Sequence, residues 1–211
     1  MPYIKFYMTP GSCSTGIHIL LEELGLIFEA YVINLLAGDQ FKPEYLVINP
    51  RGSVPALVLE DGTALTSWQS IACRLAEAYP KARLLPENDD RARVMNVMDY
   101  AVNTMHGEGF ARIFTTDRFA LDEEDAMDEL ALGRRIVDKG FARLDALLEG
   151  RDYVAGQFSI ADAALFYIEF WADRTDIPLP ANCRAHYERM LQRPAVRQVL
   201  MEEGYARVLN G

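Results

Sequence analysis

The sequence predicts an α/β domain over residues 1–80 and an all-helical domain over 91–211, joined by a linker at 81–90. Two observations carry this reading. Short β-rich runs alternate with helical stretches in the first 80 residues, whereas the helical period persists through everything after them. Between the two textures lies a stretch with Pro80, Pro86 and the polar run Glu87-Asn88-Asp89-Asp90. With 211 residues, half of them hydrophobic, the chain has ample core for two small domains.

Each element follows in order. Tyr3 to Met8 is a β-rich run ended by Thr9-Pro10-Gly11. Ile17, Leu20, Leu21 and Leu24 then share one helix face, and Gly25 is a natural stop. Phe28 to Leu35 returns to strand texture, so a parallel pair with a right-handed crossover is expected. A short helix is expected around Pro43 to Ile48, then a turn at Asn49-Pro50-Arg51-Gly52. Val54 to Glu60 is a strand, and Asp61-Gly62 turns it into a hairpin completed by Thr63 to Thr66. A helix from Ser67 to Tyr79 closes the domain with the order β-α-β-α-β-β-α. Beyond the linker, helices are expected over Arg91–Phe114, bent near Gly107 and Gly109, and over Asp122–Leu148. Three more follow at Ser159–Trp171, Asn182–Leu191 and Pro194–Glu202, the last with proline suited to its first turn.

Composition excludes several function classes. The 31 acidic and 21 basic residues leave a net charge of −10, the wrong sign for a nucleic-acid or anionic-lipid footprint. No apolar run reaches the roughly 18 residues of a membrane span. The N-terminus lacks a basic segment followed by an apolar one, so no signal peptide is expected. Cys13, Cys73 and Cys183 are too scattered for a disulfide framework or a zinc site, so a cytoplasmic protein without a metal is expected.

The sharpest local feature is Thr9-Pro10-Gly11-Ser12-Cys13-Ser14, between a strand end and a helix start. A helix N-terminus offers unpaired N–H groups and the positive end of the helix dipole. A thiol there is shifted toward thiolate, and an anionic ligand is favoured. Equally, Ser12, Ser14 or Thr15 could do no more than cap the helix.

The order of elements resembles the thioredoxin fold followed by the helical domain of a cytosolic glutathione transferase, and the loop resembles the bacterial beta class. The resemblance spans essentially the whole chain. It implies that Cys13 lies beside the glutathione sulfur and can form a mixed disulfide with it, with Ser14 next to it. Asn49-Pro50-Arg51-Gly52-Ser53-Val54-Pro55 resembles the family segment with a cis-proline at Pro55, where the Val54 backbone pairs with the cysteinyl part of glutathione. Ser159-Ile160-Ala161-Asp162 resembles the family's structural capping box. His106 resembles a histidine that faces the glutathione cleft in the beta class; on its own it is equally an ordinary helical side chain. His18 and His186 carry no such resemblance and read as ordinary side chains.

One segment departs from the family. Ser67 stands where a Glu or Gln, and Trp68 where a Ser, holds the γ-glutamyl end of glutathione. Helix N–H groups at Ser67 and Trp68 could still take the carboxylate, but the partner for the ammonium is missing unless Gln69 or a second subunit supplies one. Weaker glutathione binding than in a typical member, or a different thiol ligand, is expected, and Trp68 is either a cleft-lining aromatic or a core or dimer-interface one. The acidic run from Asp122 to Glu129 reads as a solvated helix start, and Cys73 and Cys183 as packing residues. Tyr100, Phe110, Phe114, Phe166, Phe170 and Trp171 read mostly as core.

The resulting expectation is a detoxification transferase: a homodimer that joins the glutathione thiolate to a small hydrophobic electrophile. Catalytic residues are Cys13, Ser14 and His106; Ser12, Val54, Pro55, Ser67 and Trp68 bind glutathione as co-substrate. Two alternatives stand beside it. One is a monothiol, glutathione-dependent disulfide reductase or lyase using Cys13; the other is a non-catalytic ligand-binding protein on the same fold.

Overall fold

The computed structural model describes residues 4–210; Tyr3, placed in the first strand by sequence, lies outside them. The chain divides into two compact units, residues 1–85 with 190–211, and residues 86–189.

In the first unit, β1 (Ile4–Met8), β2 (Phe28–Val32), β3 (Ala56–Val58) and β4 (Ala64–Leu65) form one sheet in the order β2-β1-β3-β4. The β1–β2 pair is parallel, as the strand–helix–strand order requires, and the other two pairs are antiparallel. Central β1 buries Ile4, Phe6 and Met8 on one face. The helix α1 (Ser14–Glu23) buries Ile17, Ile19, Leu20 and Leu21. It ends as Gly25 predicts: the Leu26 N–H donates to the Leu21 carbonyl and the Gly25 N–H to that of Glu22, with Gly25 at φ +60°. After α2 (Pro43–Leu46) and the hairpin, α3 (Trp68–Ala78) closes the α/β order. Strands β2, β3 and β4 are shorter than the sequence runs.

In the second unit, the helix expected over Arg91–Phe114 is three consecutive pieces. They are α4 (Asp90–Asp99), a π-helical stretch Tyr100–Phe110 and α5 (Ala111–Phe114). The widened stretch contains Gly107 and Gly109, where the sequence suggested a bend. It packs closely on α6 (Glu123–Leu148), where a side-chain carbon added at Gly133 would sit 2.8 Å from the Gly109 carbonyl oxygen. Asp122 caps α6, accepting from the Glu124 and Asp125 N–H groups. The buried helix α7 (Ile160–Arg174) starts at the expected Ser159–Asp162 capping box. After α8 (Ala181–Leu191) the chain reaches α9 (Pro194–Glu202), which packs on α1. Residues 190–211, expected with the helical domain, thus belong to the first compact unit. Their apolar residues Val196, Val199 and Leu200 are buried there, which a helical period alone does not locate. Among the described residues, no helix is long and apolar enough to cross a membrane.

Candidate functional site

The site lies where β1 ends and α1 begins. Gly11 takes φ +73°, and its position admits no side chain because the Tyr205 ring occupies the space. The Gly11 N–H donates to Glu203 Oε2 at 2.8 Å. Ser14 is fully buried and knots the loop to the strand end. Its hydroxyl accepts from the Thr9 N–H and donates to the Thr9 carbonyl, both at 3.0 Å. Ser12 Oγ lies 2.7 Å from Ser14 Oγ and accepts from the Ser14 N–H. One hydroxyl has one proton, so Ser14 has none left for a ligand.

Cys13 occupies the cap position of α1, and its thiol donates to the Val54 carbonyl at 3.4 Å. Burial pushes the thiol up to about 12, outweighing the backbone N–H groups of Cys13 and Ser14 that pull it down. This corrects the expectation that the helix start makes Cys13 a thiolate: the desolvation of a buried sulfur wins over the dipole.

Val54 is positioned by its neighbours. Asn49, fully buried, accepts from the Arg51 N–H and donates to the Ser53 carbonyl at 2.6 Å. The Tyr45 hydroxyl donates to the same carbonyl at 2.6 Å, and burial pushes that phenol up to about 12. Carbonyl and N–H point opposite ways across a trans peptide, so holding the Ser53 carbonyl aims the Val54 N–H away from Tyr45 and Asn49. That N–H has no partner among the described residues. The Val54–Pro55 peptide is cis.

At the start of α3, Ser67 is the cap, its Oγ accepting from the Ser70 N–H at 3.2 Å. Trp68 is buried, and its Nε1–H donates to the Cys13 carbonyl at 3.0 Å. Of the two roles left open for Trp68, the core one describes its place. Ser12, Cys13, Ser14, Val54, Pro55, Ser67 and Trp68 therefore all belong to the first unit, where Cys13 touches both Val54 and Trp68.

His106 sits in the second unit, on the π-helical stretch. Its ring meets Tyr167 and Trp171 edge-on, with centroids 5.9 and 4.9 Å away, and Nδ1 lies 3.4 Å from the Tyr167 hydroxyl. Burial lowers its pKa to about 4, so at neutral pH the ring is uncharged. Phe110 and Phe114 extend this aromatic cluster through Trp171. Phe110, Phe166 and Phe170 are core as expected, while Phe114 is about half exposed.

Sequence reasoning missed two groups. Glu203 accepts from Gly11, from Thr15 Oγ1 at 2.7 Å and from His18 Nδ1 at 2.9 Å. It lies 192 residues from Gly11 in the chain, and no local pattern links the two. His186 is buried in the second unit between Glu169 and Asp162, with ring nitrogens 2.9 and 3.2 Å from their carboxylates. Its helical spacing gave no sign of two acidic neighbours from another helix. Cys183 is buried, its thiol facing the Phe141 carbonyl, consistent with packing.

Comparisons with known proteins relate the whole chain to one family. The family model described as glutathione S-transferase, N-terminal domain, matches residues 11–78, and that described as glutathione S-transferase, C-terminal domain, matches residues 120–189. The chain is 32% identical to glutathione S-transferase GstA of Escherichia coli O157:H7, over 95% of this chain and 99% of that one. A Sulfitobacter glutathione transferase homologue, solved with bound glutathione, superposes with a TM-score of 0.87 at 30% identity, covering 96% of this chain and 99% of that one. A beta-class glutathione S-transferase of Sphingomonas chungbukensis gives 0.80 at 29% identity, covering 95% and 99%.

Proposed function

The chain belongs to the glutathione S-transferase family, and from that premise we propose that it is an enzyme joining the glutathione thiolate to a small hydrophobic electrophile. The observation that carries the reading is the free Val54 N–H beside the Cys13 thiol at the start of α1. The extended cysteinyl backbone of glutathione pairs with Val54 as an added strand, which brings its sulfur to Cys13. The γ-glutamyl carboxylate is drawn to the positive N-terminal end of α3, near Ser67 and Trp68.

The chemistry needs an anionic sulfur held beside its target. A thiol with a pKa near 12 stays protonated, so Cys13 serves as a donor rather than a nucleophile. Its S–H turns from the Val54 carbonyl to the glutathione sulfur, stabilising the thiolate and lowering the pKa of that thiol. Ser12 and Ser14 shape the loop around it. Within the second unit His106 is uncharged and meets Tyr167 and Trp171 edge-on. The monothiol reductase reading needs a Cys13 thiolate, which burial opposes. In keeping with its family, the protein acts in the cytoplasm as a homodimer, a state that analytical ultracentrifugation checks.

The test is the pH–rate profile of glutathione conjugation to a chloronitroaromatic electrophile, in the wild type and in Cys13→Ala. Conjugation should persist in the variant, with its limb shifted upward by about one pH unit, the equivalent of roughly 1.4 kcal/mol of thiolate stabilisation. Complete loss of conjugation together with loss of disulfide exchange would instead assign Cys13 a covalent role.

A further inference from the structure

On the α1–α9 face, three glutamates converge on one imidazole. His18 is 4% exposed, and its Nδ1 lies 2.9 Å from Glu203 Oε1. Glu203 already accepts from the Gly11 N–H and the Thr15 hydroxyl, so it meets His18 as an acceptor, and a neutral ring there carries its proton on Nδ1. That leaves Nε2 as a lone pair. Among the described residues Nε2 is buried without a hydrogen-bond partner, yet it lies 3.3 Å from Glu202 Oε2. Glu202 is fixed there by Gln198, which donates to its other oxygen at 2.8 Å. Glu22, one helical turn from His18 on α1, completes the group. One ligand atom each from His18, Glu22 and Glu202 all lie within 4.8 Å of one another.

A lone pair facing a carboxylate oxygen is repulsive unless a cation lies between them. The separation fits one: two ligands at about 2.0–2.1 Å from a tetrahedral zinc ion stand about 3.3 Å apart. The Nδ1–carboxylate contact with Glu203 is the outer-shell arrangement that orients a metal-binding histidine. We propose that His18 Nε2, Glu22 and Glu202 bind a divalent transition cation of the zinc class, with Glu203 as the outer-shell partner and water completing the coordination. Glu203 also holds the Gly11 N–H, so the cation braces the loop that carries Cys13. The site stands apart from the glutathione reading and does not depend on it.

Chelator-dialysed full-length protein, titrated with zinc by calorimetry, should bind one equivalent at this site. At about a hundredfold excess over the dissociation constant, zinc should raise the melting midpoint by roughly 5 °C. Glu22→Gln and Glu202→Gln change partly or largely exposed side chains, and circular dichroism checks that both fold. Each should weaken binding at least tenfold. Cobalt should give weak d–d bands without the sulfur-to-metal charge transfer of a cysteine site. Zinc should also shift the His18 Nε2 resonance in nitrogen NMR. No zinc binding by the wild type, with His18 simply doubly protonated between Glu202 and Glu203, would overturn the proposal. So would undiminished, wild-type affinity in both variants, or sulfur charge transfer from cobalt.

Discussion

Trp68 Nε1–H donates to the Cys13 carbonyl at 3.0 Å, tying the start of α3 to the start of α1. The residue that departs most from the family pattern thus supports the loop carrying the thiol, from inside the core. Trp68→Phe keeps a smaller aromatic ring and removes the donor, while the Cys13 carbonyl still accepts from the Gly16 N–H. The expected loss is about 1–2 kcal/mol, from the donor and the smaller ring together. Trp68→Ser, which restores the family residue, also empties a buried site and should cost about 3–5 kcal/mol. Urea unfolding of both variants checks the difference.

Cys13 should be slow to alkylate. Burial holds its thiol near 12, so iodoacetamide at pH 8 should label Cys73, which is partly exposed, well before Cys13. Mass spectrometry of tryptic peptides over a time course reads the order. Rapid labelling of Cys13 with a midpoint near neutrality would show that the helix start, not burial, governs the sulfur.

Glutathione affinity should respond to position 67. Ser67 caps α3 but carries no charge for the γ-glutamyl ammonium. Ser67→Glu supplies one, and a hydrogen bond to a charged group is worth roughly 1.5–3 kcal/mol. Calorimetry should show glutathione binding about tenfold or more tighter in the variant, with the cap loss visible only in stability.

The His186 cluster sets a pH signature. Burial opposes charging the ring, but Glu169 and Asp162 outweigh it and push His186 up to about 10 from 6.5. A raised folded pKa gives stability that is complete below about pH 6.5 and lost as pH rises toward 10. His186→Asn leaves two buried carboxylates without their cation, which should cost about 3–5 kcal/mol near pH 6. The gap between the wild-type and variant urea midpoints should shrink steadily from pH 6.5 to 10. A gap that widens with pH would show that the ring is neutral in the folded protein.

Much of this was legible in the chain because the signals were local. Asp61-Gly62 forms the hairpin turn, with Gly62 at φ +85°. Gly25 ends α1, and Ser159 with Asp162 starts α7, each through bonds spanning a few residues. Cys13, Val54 and Trp68 were legible through family resemblance, and the structure brings them into contact. The thiol's protonation state was not legible, because it depends on burial by residues distant in sequence. Neither was Ser14's role, which turns on where its single proton goes. Glu203 and the His186 cluster escaped for the same reason, their partners being set by how separate helices pack.

In the proposed function glutathione binds along Val54 with its sulfur at Cys13. Calorimetric titration of the wild-type protein with glutathione tests it most directly. One saturable site per chain is expected, lost when S-hexylglutathione already fills it. No detectable heat up to millimolar glutathione, with none displaced by the S-alkyl competitor, would contradict it.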